Sequence, residues 1–274
     1  MSAEKPKHDY HLVDPSPWPI YVSFATLILA FGAVYYFHSK ALWLLLIGFA
    51  LVVYGAFMWW RDVIEEAEHQ GHHTPVVQIG HRYGMTLFIA SEVMFFAAWF
   101  WAFFDVAFYP GNESAELIGR QESIGGVFPP EDIELIPPFG IPLLNTFILL
   151  ASGGTVTWAH HALRVGDRKN FLVFLFLTIL LGIIFTGFQA YEYQHATFSI
   201  DEGIYPSTFY MATGFHGAHV IIGTIFLIVC FFRGLTGHFK PEKHLGFEFA
   251  AWYWHFVDVV WLFLFTFVYW WASV

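Results

Sequence analysis

Five ionisable residues lie within strongly apolar stretches of this sequence, where an isolated charge would be costly. Glu92 interrupts MTLFIASEVMFFAAWFWAFF, His216 and His219 lie in FYMATGFHGAHVIIG, and His255 and Asp258 lie in WYWHFVDVVW. The second and third stretches each hold two of these residues at a spacing of three, so the two side chains share one face of a helix.

These residue types allow three kinds of chemistry. Histidines on two facing helices, here His216 and His255, could ligate a haem. A metal ion needs three or four converging ligands, and Glu92, His219 and Asp258 could complete such a set. The third possibility is one layer of hydrogen-bonded side chains that joins the helices. We favour this interpretation, because pairs of polar residues at a spacing of three are common by chance and do not by themselves indicate a haem or a metal site.

The elements that carry these residues are predicted to cross a membrane. The chain is 57% hydrophobic and 12% charged, whereas soluble domains carry about 25% charged residues. About 20 helical residues span the hydrocarbon core. We therefore predict an all-α polytopic membrane protein with seven transmembrane segments. They cover about residues 17–38, 42–62, 82–109, 141–161, 170–193, 205–233 and 246–271.

A polar stretch, EEAEHQGHHTPVV, divides the predicted segments into two and five. We predict a tail over residues 1–16, two helices within 17–64, a linker over 65–81 and five helices within 82–274. The tail is polar and broken by prolines, so we expect no cleaved signal peptide. We expect the first helix to direct insertion itself.

The distribution of Lys and Arg predicts an orientation. Ten of these residues lie on the side of the N-terminus, and only Lys40 and Arg120 lie on the other side. The ten are Lys5, Lys7, Arg61, Arg82, Arg164, Arg168, Lys169, Arg233, Lys240 and Lys243. The N-terminus is therefore predicted to be cytoplasmic and the C-terminus to lie outside.

The loops on the outer side are acidic and account for much of the net charge of −10. Their acidic residues are Glu113, Glu116, Glu122, Glu131, Asp132, Glu134, Asp201 and Glu202. Solvation of the loops explains this charge, and docking of a basic soluble partner is the alternative.

Glu92 is predicted to lie near the middle of the membrane. It follows the start of its segment by ten residues, which is a rise of roughly 15 Å within a core of about 30 Å. No Lys or Arg lies at this depth in any predicted helix. We therefore expect a protonated Glu92 that donates a hydrogen bond to a histidine or a carbonyl group.

Other kinds of chemistry have little support in the sequence. Cys230 is the single cysteine and lies in the apolar run LIVCFF, so it is predicted to be a buried apolar side chain without a disulfide partner. Phosphate-binding glycine loops and nucleophile elbows are not found. The basic residues are scattered at membrane margins, so nucleic-acid binding is not expected.

Long runs of the sequence resemble subunit III of cytochrome c oxidase, the haem–copper terminal oxidase. They include SEVMFFAAWFWAFF, LLNTFILLASG, TWAHHAL, GDRKN, TGFHGAHVIIGTIFLIVCFFR and GFEFAAWYWHFVDVVWLFLF, as well as PSPWP and WWRDVIEEAEHQGHHTPVVQIGHRYGM. The resemblance extends from about Tyr10 to Ser273 and is weakest in the acidic insert 111–136.

This resemblance implies a subunit without haem, copper or catalytic residues of its own. It would pack against subunit I, which holds the metals, while subunit II receives electrons from cytochrome c. The complex reduces oxygen to water and pumps protons. In this family helices 1 and 2 are splayed from helices 3 to 7, and phospholipid occupies the cleft. The layer of histidines and carboxylates would then be structural.

The resemblance also places phospholipid beside particular residues. The positions that match the family's bound lipids are Trp59, Trp60, Glu66, His73, Arg82 and Arg233. Interfacial tryptophans and nearby cations suit a phospholipid headgroup. The predicted location is a bacterial inner membrane, with the mitochondrial inner membrane as the alternative.

Two other functions remain open at this point. One is a stand-alone seven-helix proton-coupled transporter with Glu92 as carrier, which should work alone in vesicles. The other is a haem-bearing membrane cytochrome, which should keep its visible spectrum when it is separated from partners.

Overall fold

The computed structural model describes residues 8–111 and 118–274, with only the backbone of 122–124. The side chains of Lys5, Lys7, Glu113, Glu116 and Glu122, used above to predict orientation and outer charge, therefore lie outside the description. The described residues form helices and contain no β-strand, and seven of these helices are long and apolar enough to cross a membrane. The fold class predicted from composition is thus confirmed. The chain divides into two compact units, Met1–Tyr83 and Gly84–Val274.

The first unit contains an antiparallel pair of helices, α1 (Trp18–Ser39) and α2 (Trp43–Glu68). Two glycines let the helices approach closely. A Cβ atom on Gly32 would lie 2.7 Å from the backbone of α2, and one on Gly48 would lie 2.5 Å from the backbone of α1. Small residues commonly permit such approach between membrane helices.

Helix α3 (Pro75–Phe108) begins in the first unit and continues into the second. Much of the interval 65–81, predicted to be a linker, is therefore helical, and the break between α2 and α3 is shorter than expected. The polar residues of this interval do not by themselves end a helix. The first residues of the interval continue α2, and Pro75 suits the first turn of a helix because its missing N–H would have no partner there.

The second unit contains α4 (Ile118–Ile124), α5 (Ile141–Arg164), α6 (Arg168–His195), α7 (Ile204–Leu235) and α8 (Leu245–Phe263). The chain after α8 continues as a π-helical turn and a short 3₁₀ turn. Helices α5 to α8 pack in a closed ring, each against its neighbours in sequence and α8 against α5. The short helix α4 was not predicted, because its residues carry no apolar periodicity.

Two tryptophans of α8 form the centre of this unit. Trp254 and Trp261 are fully buried, and their indole N–H groups donate to the hydroxyl oxygens of Ser152 and Thr146, each at 2.9 Å. Tryptophan thus contributes a large apolar surface while its single donor is satisfied. These two bonds join α8 to α5.

Candidate functional site: paired polar side chains within the helices

Glu92 lies halfway along the 34-residue helix α3, and its partner is His219 of α7. The carboxylate oxygen Oε2 lies 2.9 Å from Nε2 of the imidazole. The other ring nitrogen, Nδ1, lies 2.6 Å from the carbonyl oxygen of Phe215, one helical turn earlier. Phe96 and Tyr253 are among the aromatic rings packed around the histidine. The pair therefore joins α3 to α7 inside an aromatic shell.

The hydrogen bond at Nδ1 determines how many protons the pair holds. A carbonyl oxygen only accepts, so Nδ1 of His219 carries a hydrogen and donates it to Phe215. In a neutral imidazole Nε2 is then an acceptor, and the bond to Glu92 requires a proton between these two groups. The proton belongs either to a neutral carboxylic acid or to an imidazolium beside a carboxylate. In both cases the pair has no net charge, which suits its place in an apolar helix bundle.

A second pair lies on α8. Nδ1 of His255 is 3.5 Å from Oδ2 of Asp258, and Nε2 is 3.1 Å from the hydroxyl oxygen of Thr157 on α5. The Thr157 hydroxyl donates to the carbonyl of Gly153 at 2.9 Å, so its oxygen accepts the hydrogen from Nε2. Asp258 is buried, and Oδ1 has no partner among the described residues.

His216 stands apart from both pairs. It is fully buried, its Nε2 donates to the carbonyl of Val257 at 3.2 Å, and its ring packs against Phe185 and Trp261. The structure therefore resolves the predicted layer into two histidine–carboxylate pairs and one separate histidine. The described part of the chain holds no group of three or more His, Cys, Asp or Glu side chains placed to bind a metal ion.

The comparisons with known proteins identify the family. Residues 8–273 match the family model for cytochrome c oxidase subunit III. The chain is 57% identical to cytochrome c oxidase subunit 3 of Prototheca wickerhamii over 97% of this chain and 99% of that protein. The chain is 54% identical to cytochrome c oxidase subunit 3 of Arabidopsis thaliana over 99% of both chains. It is also 54% identical to cytochrome c oxidase subunit 3 of Bos taurus, over 97% of this chain and 98% of that protein.

The chain belongs to the cytochrome c oxidase subunit III family. The resemblance inferred from sequence motifs is confirmed over nearly the whole chain. The chain is accordingly an integral membrane subunit of a respiratory oxidase complex, and the alternative of a stand-alone transporter has no support from these matches.

A third buried polar cluster in this subunit III chain was missed. Glu192 accepts hydrogen bonds from Tyr269 at 2.6 Å and from Gln189 at 3.1 Å, and all three side chains are buried. The cluster joins the end of α6 to the end of the chain. Gln189 and Glu192 show the same spacing of three that singled out the other pairs, so this spacing was the one signal that could have indicated the cluster.

The residues predicted to bind phospholipid are distributed over both units. Trp59 and Trp60 lie late on α2 with exposed side chains, and Glu66 lies 3.9 Å from His11. Arg82 lies on α3 within the first unit. Arg233, in the second unit, lies over the ring of Phe239 at 4.6 Å from its centroid.

His73 lies in the short loop between α2 and α3 and is neutral at physiological pH. Its ring is 4.7 Å from that of His81. Burial, and then repulsion from His81, His11 and His72 when they are charged, lowers the pKa of His73 from 6.5 to about 4. His73 therefore offers a polar contact rather than a positive charge.

This lowered pKa predicts a loss of local stability at mildly acidic pH. Between pH 6.5 and about 4 the unfolded chain binds a proton at this position and the folded chain does not, so stability falls as the pH is lowered through this range. Hydrogen exchange of residues 69–81, corrected for intrinsic rates, should show weaker protection at pH 5 than at pH 7. His73→Gln should reduce this difference, whereas the exposed His69→Gln should not. Equal pH dependence in both variants would contradict the assignment.

Proposed function

We propose that this chain is a supporting subunit without catalytic residues in a proton-pumping cytochrome c oxidase. It packs against subunit I, which holds haem and copper, while subunit II receives electrons from cytochrome c. The family match over residues 8–273 carries this proposal. The mode of action is to sustain proton uptake and to keep the catalytic subunit stable during oxygen reduction.

His216 and His255 are poorly placed to ligate a haem. A haem between His216 and His255 would need a free ring nitrogen on each. Nδ1 of His216 has no partner among the described residues, but both nitrogens of His255 face protein partners, Thr157 at 3.1 Å and Asp258 at 3.5 Å. We therefore assign these side chains to joining the helices, and assign the metals to the neighbouring subunits.

The proposed location is a bacterial inner membrane, with the N-terminus cytoplasmic and the mitochondrial inner membrane as the alternative. The excess of Lys and Arg on the N-terminal side supports this orientation. Tagging each terminus and testing access of a protease in sealed vesicles measures it directly. A protected C-terminus in right-side-out vesicles would contradict the assignment.

Removal of this chain from the purified oxidase tests the proposed role. We expect oxygen reduction to continue but to slow at high pH and to stop after fewer turnovers. The reason is that Lys and Arg side chains at the inner face would attract protons, and the histidines of the linker would pass them on, which matters most where protons are scarce. Oxygen consumption from pH 6 to pH 9, with and without the chain, measures the effect. If the oxidase without this chain showed the wild-type rate and lifetime at every pH, the chain would have no role in turnover beyond packing.

We also propose that the first unit binds an anionic or zwitterionic phospholipid. Exposed Trp59 and Trp60 lie where the apolar part of α2 meets its polar last eight residues, a position that suits the membrane interface. Arg82 supplies a cation for a phosphate group. Glu66 and His73 would contact the polar headgroup. On the second unit, Arg233 would supply a cation for a phospholipid headgroup there.

Substitution of these residues should remove tightly bound lipid. The triple variant Trp59→Ala, Arg82→Ala and Arg233→Ala should lose at least one phospholipid per complex, as measured by mass spectrometry of the purified oxidase. Trp270→Ala replaces another exposed tryptophan and should leave the lipid content unchanged. Equal lipid content in the triple variant and the wild type would count against the site.

A further inference from the structure

The loop between α6 and α7 borders an open pocket with a volume of about 590 Å³. Its lining includes Tyr193 in the last turn of α6, Phe198, Ser199 and Glu202 in the loop, and Tyr210 on α7. Pockets for small ligands commonly measure about 300–1,000 Å³. Both helices are membrane spans that end at this loop, so the pocket lies at the level where lipid headgroups are found.

Three aromatic rings form one side of the pocket. The centroids of Tyr193 and Tyr210 are 5.2 Å apart with their planes at 70°, and those of Phe198 and Tyr210 are 5.6 Å apart at 63°. The two tyrosines are partly exposed, whereas Phe198 is buried. The faces of aromatic rings attract cations, and rings set at an angle to one another are typical of sites for quaternary ammonium groups.

The charge of the pocket also favours a cation. The exposed side chain of Glu202 is the single charged group in the described lining, which contains no Lys, Arg or His. The tyrosine hydroxyl groups are engaged within the protein. Tyr193 donates to the hydroxyl oxygen of Thr213 at 2.7 Å, and Tyr210 donates to the carbonyl oxygen of Phe198 at 2.8 Å. The pocket therefore offers a carboxylate and ring faces to a cation, and it is poorly suited to a phosphate group.

Hydrogen bonds within the loop hold the pocket in shape. The backbone N–H of Ser199 donates to Oε2 of Glu202 at 3.1 Å, and the backbone N–H of Glu202 donates to the carbonyl oxygen of Ser199 at 3.1 Å. The hydroxyl group of Thr197 donates to the carbonyl oxygen of Glu134 at 2.9 Å. Binding to a preformed pocket costs less conformational entropy than binding that must order a loop.

We infer that this pocket binds the quaternary ammonium group of a phosphatidylcholine headgroup, on the side of the membrane opposite to the N-terminus. The rings of Tyr193 and Tyr210 contact its methyl groups, and Glu202 balances its charge. A primary ammonium fits less well, because its three N–H groups each need an acceptor, whereas a quaternary ammonium needs none. The site shares no residue with the phospholipid site proposed above.

A photoreactive lipid tests the charge of the pocket. The purified oxidase is placed in nanodiscs that contain phosphatidylcholine with a diazirine on its choline group, and cross-linked peptides are identified by mass spectrometry. We expect cross-links within residues 193–210. Glu202→Gln should reduce them by about tenfold, while its amide oxygen can still accept the hydrogen bond from Ser199. Glu131→Gln replaces an exposed carboxylate outside the lining and should change nothing. Equal cross-linking of the two variants would overturn the inference.

Substitutions of Tyr210 test the aromatic contact separately. Tyr210→Phe keeps the ring and should retain most of the cross-linking, although it loses the hydrogen bond to the loop. Tyr210→Leu removes the ring and should reduce cross-linking by about tenfold. Tyr191→Leu is the matched control, because Tyr191 is exposed on α6 and lies outside the lining. Equal cross-linking of Tyr210→Phe and Tyr210→Leu would show that the ring does not bind the headgroup.

Competition identifies the occupant. Unlabelled phosphatidylcholine should suppress the cross-links, whereas phosphatidylethanolamine, phosphatidylglycerol and free choline at the same concentrations should not. Equal competition by either of the other lipids would contradict recognition of a quaternary ammonium group, and equal competition by free choline would indicate a soluble ligand. Absence of cross-links at residues 193–210 in the wild-type oxidase would show that the lipid does not reach the pocket, and would also overturn the inference.

Discussion

Replacement of Trp254 by alanine is expected to destabilise the second unit by about 3–5 kcal/mol. The side chain is fully buried, and two glycines bring neighbouring helices against its ring. A Cβ atom on Gly182 would lie 2.7 Å from the ring, and one on Gly223 would lie 2.9 Å from it. Helices α6 and α7 are thus packed onto the indole, and loss of the ring would leave a cavity that their backbones cannot fill. The bond to Ser152 would also be lost.

Equilibrium unfolding of the full chain in mixed micelles measures this effect. Trp254→Phe keeps much of the packing and should cost less, because it removes one hydrogen bond and part of the ring. Trp101→Ala is the surface control, since its side chain is 71% exposed; such changes usually alter stability by about 0.5 kcal/mol or less. A similar loss in Trp254→Ala and Trp101→Ala would show that the indole is not central to the fold.

Glu92→Gln is expected to abolish labelling by a hydrophobic carbodiimide while assembly and proton pumping remain near normal. Carbodiimides react with protonated carboxyl groups, and an amide offers none. The hydrogen bond should persist, because the glutamine N–H can donate to Nε2 of His219 in place of the shared proton. The substitution therefore removes the proton and keeps the link between α3 and α7.

Glu92→Leu separates the structural role from a proton-transfer role. It leaves Nε2 of His219 without a partner, which should cost about 1–3 kcal/mol and lower the yield of assembled oxidase. If Glu92→Gln assembles fully but does not pump protons, Glu92 transfers protons and the structural interpretation is wrong. Infrared spectra of wild type minus Glu92→Gln would show whether the shared proton lies on the carboxyl group or on the imidazole.

The sequence was sufficient to predict the seven membrane helices. Apolar length is set by the thickness of the hydrocarbon core, so segments such as 141–161 and 205–233 could be recognised without knowledge of their neighbours. Helix ends outside the apolar core were less predictable. The interval 65–81 is mostly helical because polar residues can continue a helix as well as interrupt it.

Only the tertiary structure determined which polar groups meet. His216 and His219 share a helix face, yet His219 bonds to Glu92 of α3 and His216 bonds to the backbone of α8. Glu192 escaped notice because the sequence does not show that Tyr269 covers it. Helical periodicity specifies which side chains lie on one face. Which neighbouring helix packs against that face depends on small residues and on the shapes of both surfaces, and these are properties of the assembled bundle.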